Sequence, residues 1–340
     1  MEGQNQSLLK QILKYPTEYL KAKERYQEED SEEEYFIIGK LLDLMMYDPK
    51  KIDDKFLITD LPNISEVLKS ISSTIVEMME LENIGEFDPE SPKCKTIVLD
   101  SCNLHSYQKN WKNDTRIDKI FKECTGYIEI LQKSKNKIIV SKDVNFKTIN
   151  CKASLNSDFR TRKYFSGKFE DGFKVDLTKP IQFFKHVIVD YELDGLRIKG
   201  ELDQVVINHS KEEIIPIDLK TFGRPVYMFK GQFWKLRYDF QAATYMEGLK
   251  NHPEVQKLLN NGYKLLNFRF IVVESNTTNN PLIYEVTPEV LDIGLNGGTT
   301  SKGFEYEGLR QAIERYKYYT EKDMWDYPME YESNNIMIEI

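Results

Sequence analysis

Lys199-Gly200-Glu201-Leu202-Asp203 is followed, after a polar break at Asn208-His209-Ser210-Lys211, by Ile214-Ile215-Pro216-Ile217-Asp218-Leu219-Lys220-Thr221. In an extended strand alternate side chains share a face, so Asp218 and Lys220 project together while Ile217 and Leu219 turn the other way. Asp203 comes one hairpin's length earlier and can stand opposite Asp218 across a strand pair. Two carboxylates beside a lysine suit the hydrolysis of a phosphodiester. The oxygens hold Mg2+ or Mn2+, which neutralises phosphate and acidifies bound water, and the lysine orients that water or steadies developing charge. The ordinary alternative is a cross-strand Asp–Lys ion pair on a solvated face. Apolar residues on both sides of the pair argue against it, because burying a charge is costly unless it is paired.

The elements that must position these residues are strand-like runs at Phe183–Leu193, Leu196–Asn208 and Glu212–Phe222. They are joined by Asp194-Gly195 and by a polar turn too short for a parallel crossover. A helix is expected over Gln232–Lys250, a strand at Leu265–Ser275 pairing with Leu282–Val286, and a last helix over Phe304–Lys322. Residues 1–166 read as mainly helical. Helices are expected at Gln6–Tyr26, Tyr35–Tyr47 (stopped by Asp48-Pro49), Ser65–Glu82, Thr115–Lys133 and Val144–Phe165, with a loop over Asn83–Lys95. The fold class is therefore α/β: a mixed sheet flanked by helices over 167–325, a helical N-terminal elaboration over 1–166 on the active-site side, and a peripheral tail over 326–340.

Gly200-Glu201-Leu202-Asp203, then Ile217-Asp218-Leu219-Lys220-Thr221, then Gln241-Ala242-Ala243-Thr244-Tyr245 resembles the PD-(D/E)XK nuclease superfamily, in particular its RecB-like and phage exonuclease VIII-like members. The similarity runs from Lys199 to Tyr245. It implies a restriction-endonuclease-like core in which Asp203, Asp218 and the Leu219 carbonyl hold the metal, Lys220 assists the attacking water, and Gln241 with Tyr245 supports the lysine and the DNA strand. Upstream, Gly39-Lys40-Leu41-Leu42-Asp43 with Tyr47-Asp48-Pro49 resembles a helix on which that family usually carries histidine. Asp43 stands at that place, as a further metal ligand or as a solvent-facing helix residue. The acidic residue that many relatives place before the Gly-x-x-Asp strand has Gln182 as its nearest counterpart, and Glu201 is an alternative contributor.

On the expected helix, Arg237, Gln241 and Tyr245 would form one stripe with Trp234 beside it, while Phe233 and Phe240 pack in the core. Arg237 and Trp234, with the basic cluster Arg160, Arg162 and Lys163, are candidate DNA contacts; solvated charge is the alternative for the cluster. The segment Asn296–Gly303 fails the phosphate-loop pattern, so no ATPase activity is expected.

Lys and Arg number 47 against 55 Asp and Glu, a net charge of −8, and hydrophobic residues make up 40% of the chain. This excludes global disorder and an electrostatics-only DNA coater. No signal peptide and no membrane-spanning stretch is recognised, so a cytoplasmic protein is expected, in the host cytoplasm if phage-encoded. The four cysteines suit neither a disulfide framework nor a zinc or iron–sulfur cluster.

The expected activity is metal-dependent DNA hydrolysis. By resemblance it is exonuclease digestion of linear duplex ends in phage-type recombination or replication, and the resemblance also implies a homo-oligomer and a single-strand annealing or recombination partner. A structure-specific or nicking endonuclease and an inactive DNA- or protein-binding descendant, such as an inhibitor, are the alternatives.

Overall fold

The computed structural model describes residues 3–25, 33–135, 137–276, 280–329 and 331. Its main sheet is built from Phe169–Glu170 (β1), Ile181–Leu193 (β2), Leu196–Asn208 (β3), Glu213–Phe222 (β4), Arg269–Glu274 (β5) and Leu282–Glu285 (β6). These lie in the order β6-β5-β4-β3-β2-β1, and Gln4–Asn5 on β3 and Lys264–Leu265 on β4 complete eight strands. The pairs β2–β3, β3–β4 and β5–β6 are antiparallel, whereas β4–β5 and β1–β2 are parallel. Helices flank this mixed sheet, as expected for the fold class.

The turn chemistry sets the register. Asp194 and Gly195 both take positive φ, 49° and 72°, the geometry that joins twisted antiparallel strands through two residues. From that turn β2 and β3 pair outward from Leu193 with Leu196 to Ile181 with Asn208.

The helices are Gln6–Ile12 (α1), Pro16–Arg25 (α2), Glu34–Tyr47 (α3), Glu66–Leu81 (α4), Pro92–Leu104 (α5), Asn113–Ser134 (α6), Lys142–Ser157 (α7), Phe229–Lys235 (α8), Tyr238–Asn251 (α9) and Leu309–Lys322 (α10), with shorter turns between them. Two compact units emerge: Met1–Tyr47 with Lys147–Ile340, and Asp48–Phe146. In the first, one sheet face packs Val187, Val189, Leu202, Val205 and Phe270 against Ala242, Tyr245 and Leu249 of α9. The opposite face packs Phe183, Val206, Ile217 and Ile271 against Leu42 and Tyr47 of α3 and Cys151 and Leu155 of α7. A third cluster joins Leu9 and Ile12 of α1 with Ile313 and Tyr319 of α10. In the second unit α4, α5 and α6 enclose Ile71, Ile75, Val98 and Ile120 together with Cys94, Cys102 and Cys124. All four cysteines are free and buried.

Several expected elements differ in their limits: the helix over 144–165 divides into Lys142–Ser157 and Arg162–Phe165, and the last helix starts at Leu309. The first helix divides at Pro16, which lacks an N–H and instead opens α2. The expected loop over 83–95 ends early, because Ser91 caps α5 by accepting from the Cys94 N–H and Pro92 occupies its first turn. The helix over 232–250 breaks at Arg237, whose backbone is left-handed (φ 57°). The tail over 326–340 falls largely outside the described residues. Among the described residues no helix is long and apolar enough to cross a membrane.

Candidate active site

The chemistry-bearing carboxylates stand where the β3–β4 ladder ends. Its last pair is Gln204 with Ile217, and one step beyond it Asp203 Oδ2 accepts a 2.7 Å hydrogen bond from the Leu219 N–H. The carboxylate thus replaces the ladder partner that Leu219 loses as β3 parts from β4. Meanwhile β4 continues beside β5, with Asp218 next to Phe270 and Lys220 next to Val272. The N–H and C=O of one strand residue lie on the same edge, so the Leu219 carbonyl faces the same gap.

Asp218 is 1% exposed. Its Oδ1 accepts from Gln241 Nε2 at 3.1 Å, and its Oδ2 meets Lys220 Nζ at 2.5 Å in an ion pair lacking hydrogen-bond geometry. The ammonium also lies over the Tyr238 and Phe270 rings, at 5.2 and 5.8 Å. Gln241 contacts the Tyr245 hydroxyl at 3.4 Å. Gly200 is required here for space: a Cβ would come within 2.8 Å of the Tyr245 ring.

Burial drives the electrostatics. It raises Asp218 to about 7, with Asp203 adding to the effect, and raises Asp203 to about 6, with Asp43 adding to it against the pull of Lys220. Burial alone would discharge Lys220, but Asp218 and Asp203 outweigh it and hold the ammonium above its ordinary range.

The hairpin reverses its faces at the same place. Lys185 and Gln204, paired in register, both reach Tyr47: Lys185 Nζ donates to its carbonyl at 3.2 Å, and its hydroxyl donates to Gln204 Oε1 at 3.2 Å. The next pair, Val187 with Leu202, points to the opposite, α9 side. Between them sit His186, with φ 48°, and Asp203. Tyr47 therefore fixes the end of α3, and one turn earlier Asp43 comes within 3.7 Å of His186 Nε2. His186 Nδ1 is 3.0 Å from Glu201 Oε1, and its ring packs edge-on to Tyr47 at 5.5 Å.

The structure thus gathers Asp203, Asp218, Lys220, Gln241 and Tyr245; Asp43 and Glu201 meet at His186, and their charges act on Asp203. Gln182 lies elsewhere, opposite Ile207 and away from Asp203. It is 1% exposed and occupied by the Asp176 N–H and by His209. Arg237 leaves the stripe because the helix breaks there; it pairs with Asp239 at 3.0 Å and donates to the Glu307 carbonyl. Trp234 stacks on Tyr306 at 4.8 Å. Phe240 is fully buried and Phe233 packs on the core, as expected. Arg160 pairs with Asp158 at 2.7 Å, Arg162 is exposed, and Lys163 lies over Tyr164 at 5.0 Å; none of these contacts reaches the carboxylates.

Sequence reasoning passed over His186 and Lys10. Counting back from the Asp194-Gly195 turn would have placed His186 across from Asp203. Lys10, on α1, donates to the Leu236 carbonyl at 3.4 Å; burial, then the nearby Lys220 charge, lowers it to about 8. No local pattern announces that approach.

Two proximal carboxylates with raised pKa and a main-chain carbonyl facing the same gap fit a hard divalent cation. Among the described residues no three His, Cys, Asp or Glu side chains already form a cation cage. A cation held here would take two carboxylates, the Leu219 carbonyl and water.

No family model and no curated protein matches the chain. Among solved structures, a Eubacterium rectale protein ascribed exonuclease activity is similar at a TM-score of 0.31 and 16% identity, over 86% of each chain. A likeness of that size has no bearing on activity.

Proposed function

We propose that the protein is a metal-dependent deoxyribonuclease that hydrolyses DNA phosphodiester bonds, acting as an exonuclease on linear duplex ends. The observation that carries this reading is the convergence of Asp203, Asp218 and Lys220 at the point where β3 and β4 separate. A Mg2+ or Mn2+ ion bound there would neutralise phosphate charge and acidify a water. Asp203 and Asp218, with the Leu219 carbonyl, would hold it. Lys220, kept cationic by the two carboxylates, orients the attacking water or meets the charge that builds on phosphate. Gln241 fixes Asp218, and Tyr245 fixes Gln241. The resemblance stated above supports the preference for DNA ends, and with it a homo-oligomer and a role beside a recombination or annealing protein.

The test is incubation of purified protein with end-labelled linear duplex and covalently closed circular DNA in the presence of Mg2+ or Mn2+. Progressive loss of the linear substrate alone is expected, and D218N and K220M should both be inactive while remaining folded. Cutting of closed circles would shift the reading to an endonuclease. Wild type as inert as the variants would leave a binding descendant.

A further inference from the structure

The step at His186 and Asp203, between the ladder pairs Lys185–Gln204 and Val187–Leu202, is where the central hairpin turns over, and the turnover has a backbone cost. A non-glycine strand residue with φ 48° is uncommon and persists only where surrounding structure enforces it. Here the enforcement is visible on both sides: Lys185 and Gln204 are tied to Tyr47, while Val187 and Leu202 are buried against α9. The result is to swing the imidazole to the α3 side, between Asp43 of α3 and Glu201 of β3.

The two ring nitrogens meet different distances. Nδ1 lies 3.0 Å from Glu201 Oε1, a carboxylate–imidazole contact of the kind that fixes the tautomer and ring orientation of metal-binding histidines. Nε2 is directed at Asp43 Oδ2 across 3.7 Å. That is longer than a hydrogen bond and within the roughly 4.2 Å that two metal–ligand bonds of about 2.1 Å can span. Both side chains are partly open to solvent, at 26% and 32%, so an ion can enter with its own water.

We propose that His186 Nε2 and Asp43 Oδ2 form a two-ligand subsite for a first-row divalent cation of the Mn2+ type, with Glu201 as the group that orients the imidazole. The subsite adjoins Asp203, whose carboxyl feels the Asp43 charge, and this assignment rests on the metal-dependent reading of the main site. Imidazole favours first-row transition ions over Mg2+, which prefers oxygen donors. His186 therefore makes the site selective, and the strained strand residue becomes a determinant of which metal the protein takes.

The experiment is calorimetric titration of the full chain with MnCl2 and, separately, MgCl2. Asn tolerates the left-handed backbone, so H186N removes the ligand without forcing the strand to refold. Its Mn2+ affinity is expected to fall about 10- to 100-fold, with a far smaller change for Mg2+. D43N, on a partly exposed helix face, should weaken Mn2+ likewise and serves in its place if H186N does not fold. Wild-type Mn2+ binding left unchanged by either variant overturns the subsite alone. A wild-type protein that binds no Mn2+ overturns both the subsite and the metal-dependent reading beneath it.

Discussion

Asp203 occupies the position of a missing strand: its carboxylate accepts, at 2.7 Å, the Leu219 N–H that a continued β3 ladder would have satisfied. Structure and chemistry can therefore be separated at this residue. D203N keeps an acceptor oxygen and removes a charge that burial disfavours, so near neutral pH it should be no less stable than wild type. D203A leaves the N–H without its partner and should cost about 1–3 kcal/mol relative to D203N. Both should lose DNA cleavage. Equal unfolding midpoints in urea for the two variants would show that the hydrogen bond contributes nothing.

In the metal-free protein Asp218 and Asp203 titrate at about 7 and about 6, above the 3.8 of an ordinary aspartate. Between roughly pH 4 and 7 the folded chain thus holds more of these protons than the unfolded chain. Their contribution to stability is full below the unfolded value and is lost as pH rises through 6 and 7. With EDTA present, the melting temperature of wild type relative to the D203N/D218N double variant should fall from pH 5 to pH 7.5. Mn2+ should stabilise wild type more at pH 7.5 than at pH 5, since ligation needs the ionised carboxylates.

Lys220 balances the Asp218 and Asp203 carboxylates, so its removal acts on charge as well as on rate. K220M should lower kcat by about 10²–10⁴-fold, the scale of lost proton-transfer or charge-stabilising groups. Its metal affinity should be kept or improved, because a competing cation has left Asp218. Calorimetry with Mn2+ beside single-turnover cleavage separates the two effects, and a K220M protein that no longer binds Mn2+ would make the lysine a scaffold for the carboxylates.

Gly200 is specified by the ring above it. A methyl group at this position would stand 2.8 Å from Tyr245 Cε1, so G200A should destabilise by about 1–3 kcal/mol through overpacking. It should also weaken cleavage by displacing Tyr245 and, through it, Gln241. G200A/Y245L, which shortens the obstructing side chain, should recover stability but not rate; recovery of neither would place the strain elsewhere.

Much of the site was legible because strand periodicity is local. The pairing of Asp218 with Lys220, the placing of Asp203 beside β4 and the Asp194-Gly195 turn all follow from alternation and turn chemistry. What escaped depends on events that periodicity cannot express. Arg237 interrupts an otherwise helical run by adopting φ 57° and pairing with Asp239, which takes it off the stripe it would share with Gln241. Gln182 has the right offset from Asp203 for an acidic counterpart, yet the hairpin register carries it opposite Ile207. Lys10 comes near Lys220 through the packing of α1, a tertiary contact with no trace in local spacing.

The face reversal at His186 and Asp203 also bears on how the chain finds its pairing. In a uniformly alternating hairpin, a slip of two residues preserves which side chains are buried, so that error is weakly penalised. Here any slip moves the reversal on one strand out of step with the other, turning Val187 or Leu202 away from α9 and freeing Lys185 or Gln204 from Tyr47. The kink works as a key for register, rejecting even the shifts that alternation would forgive, and the residues that enforce it are neighbours of the ones that bring the carboxylates together.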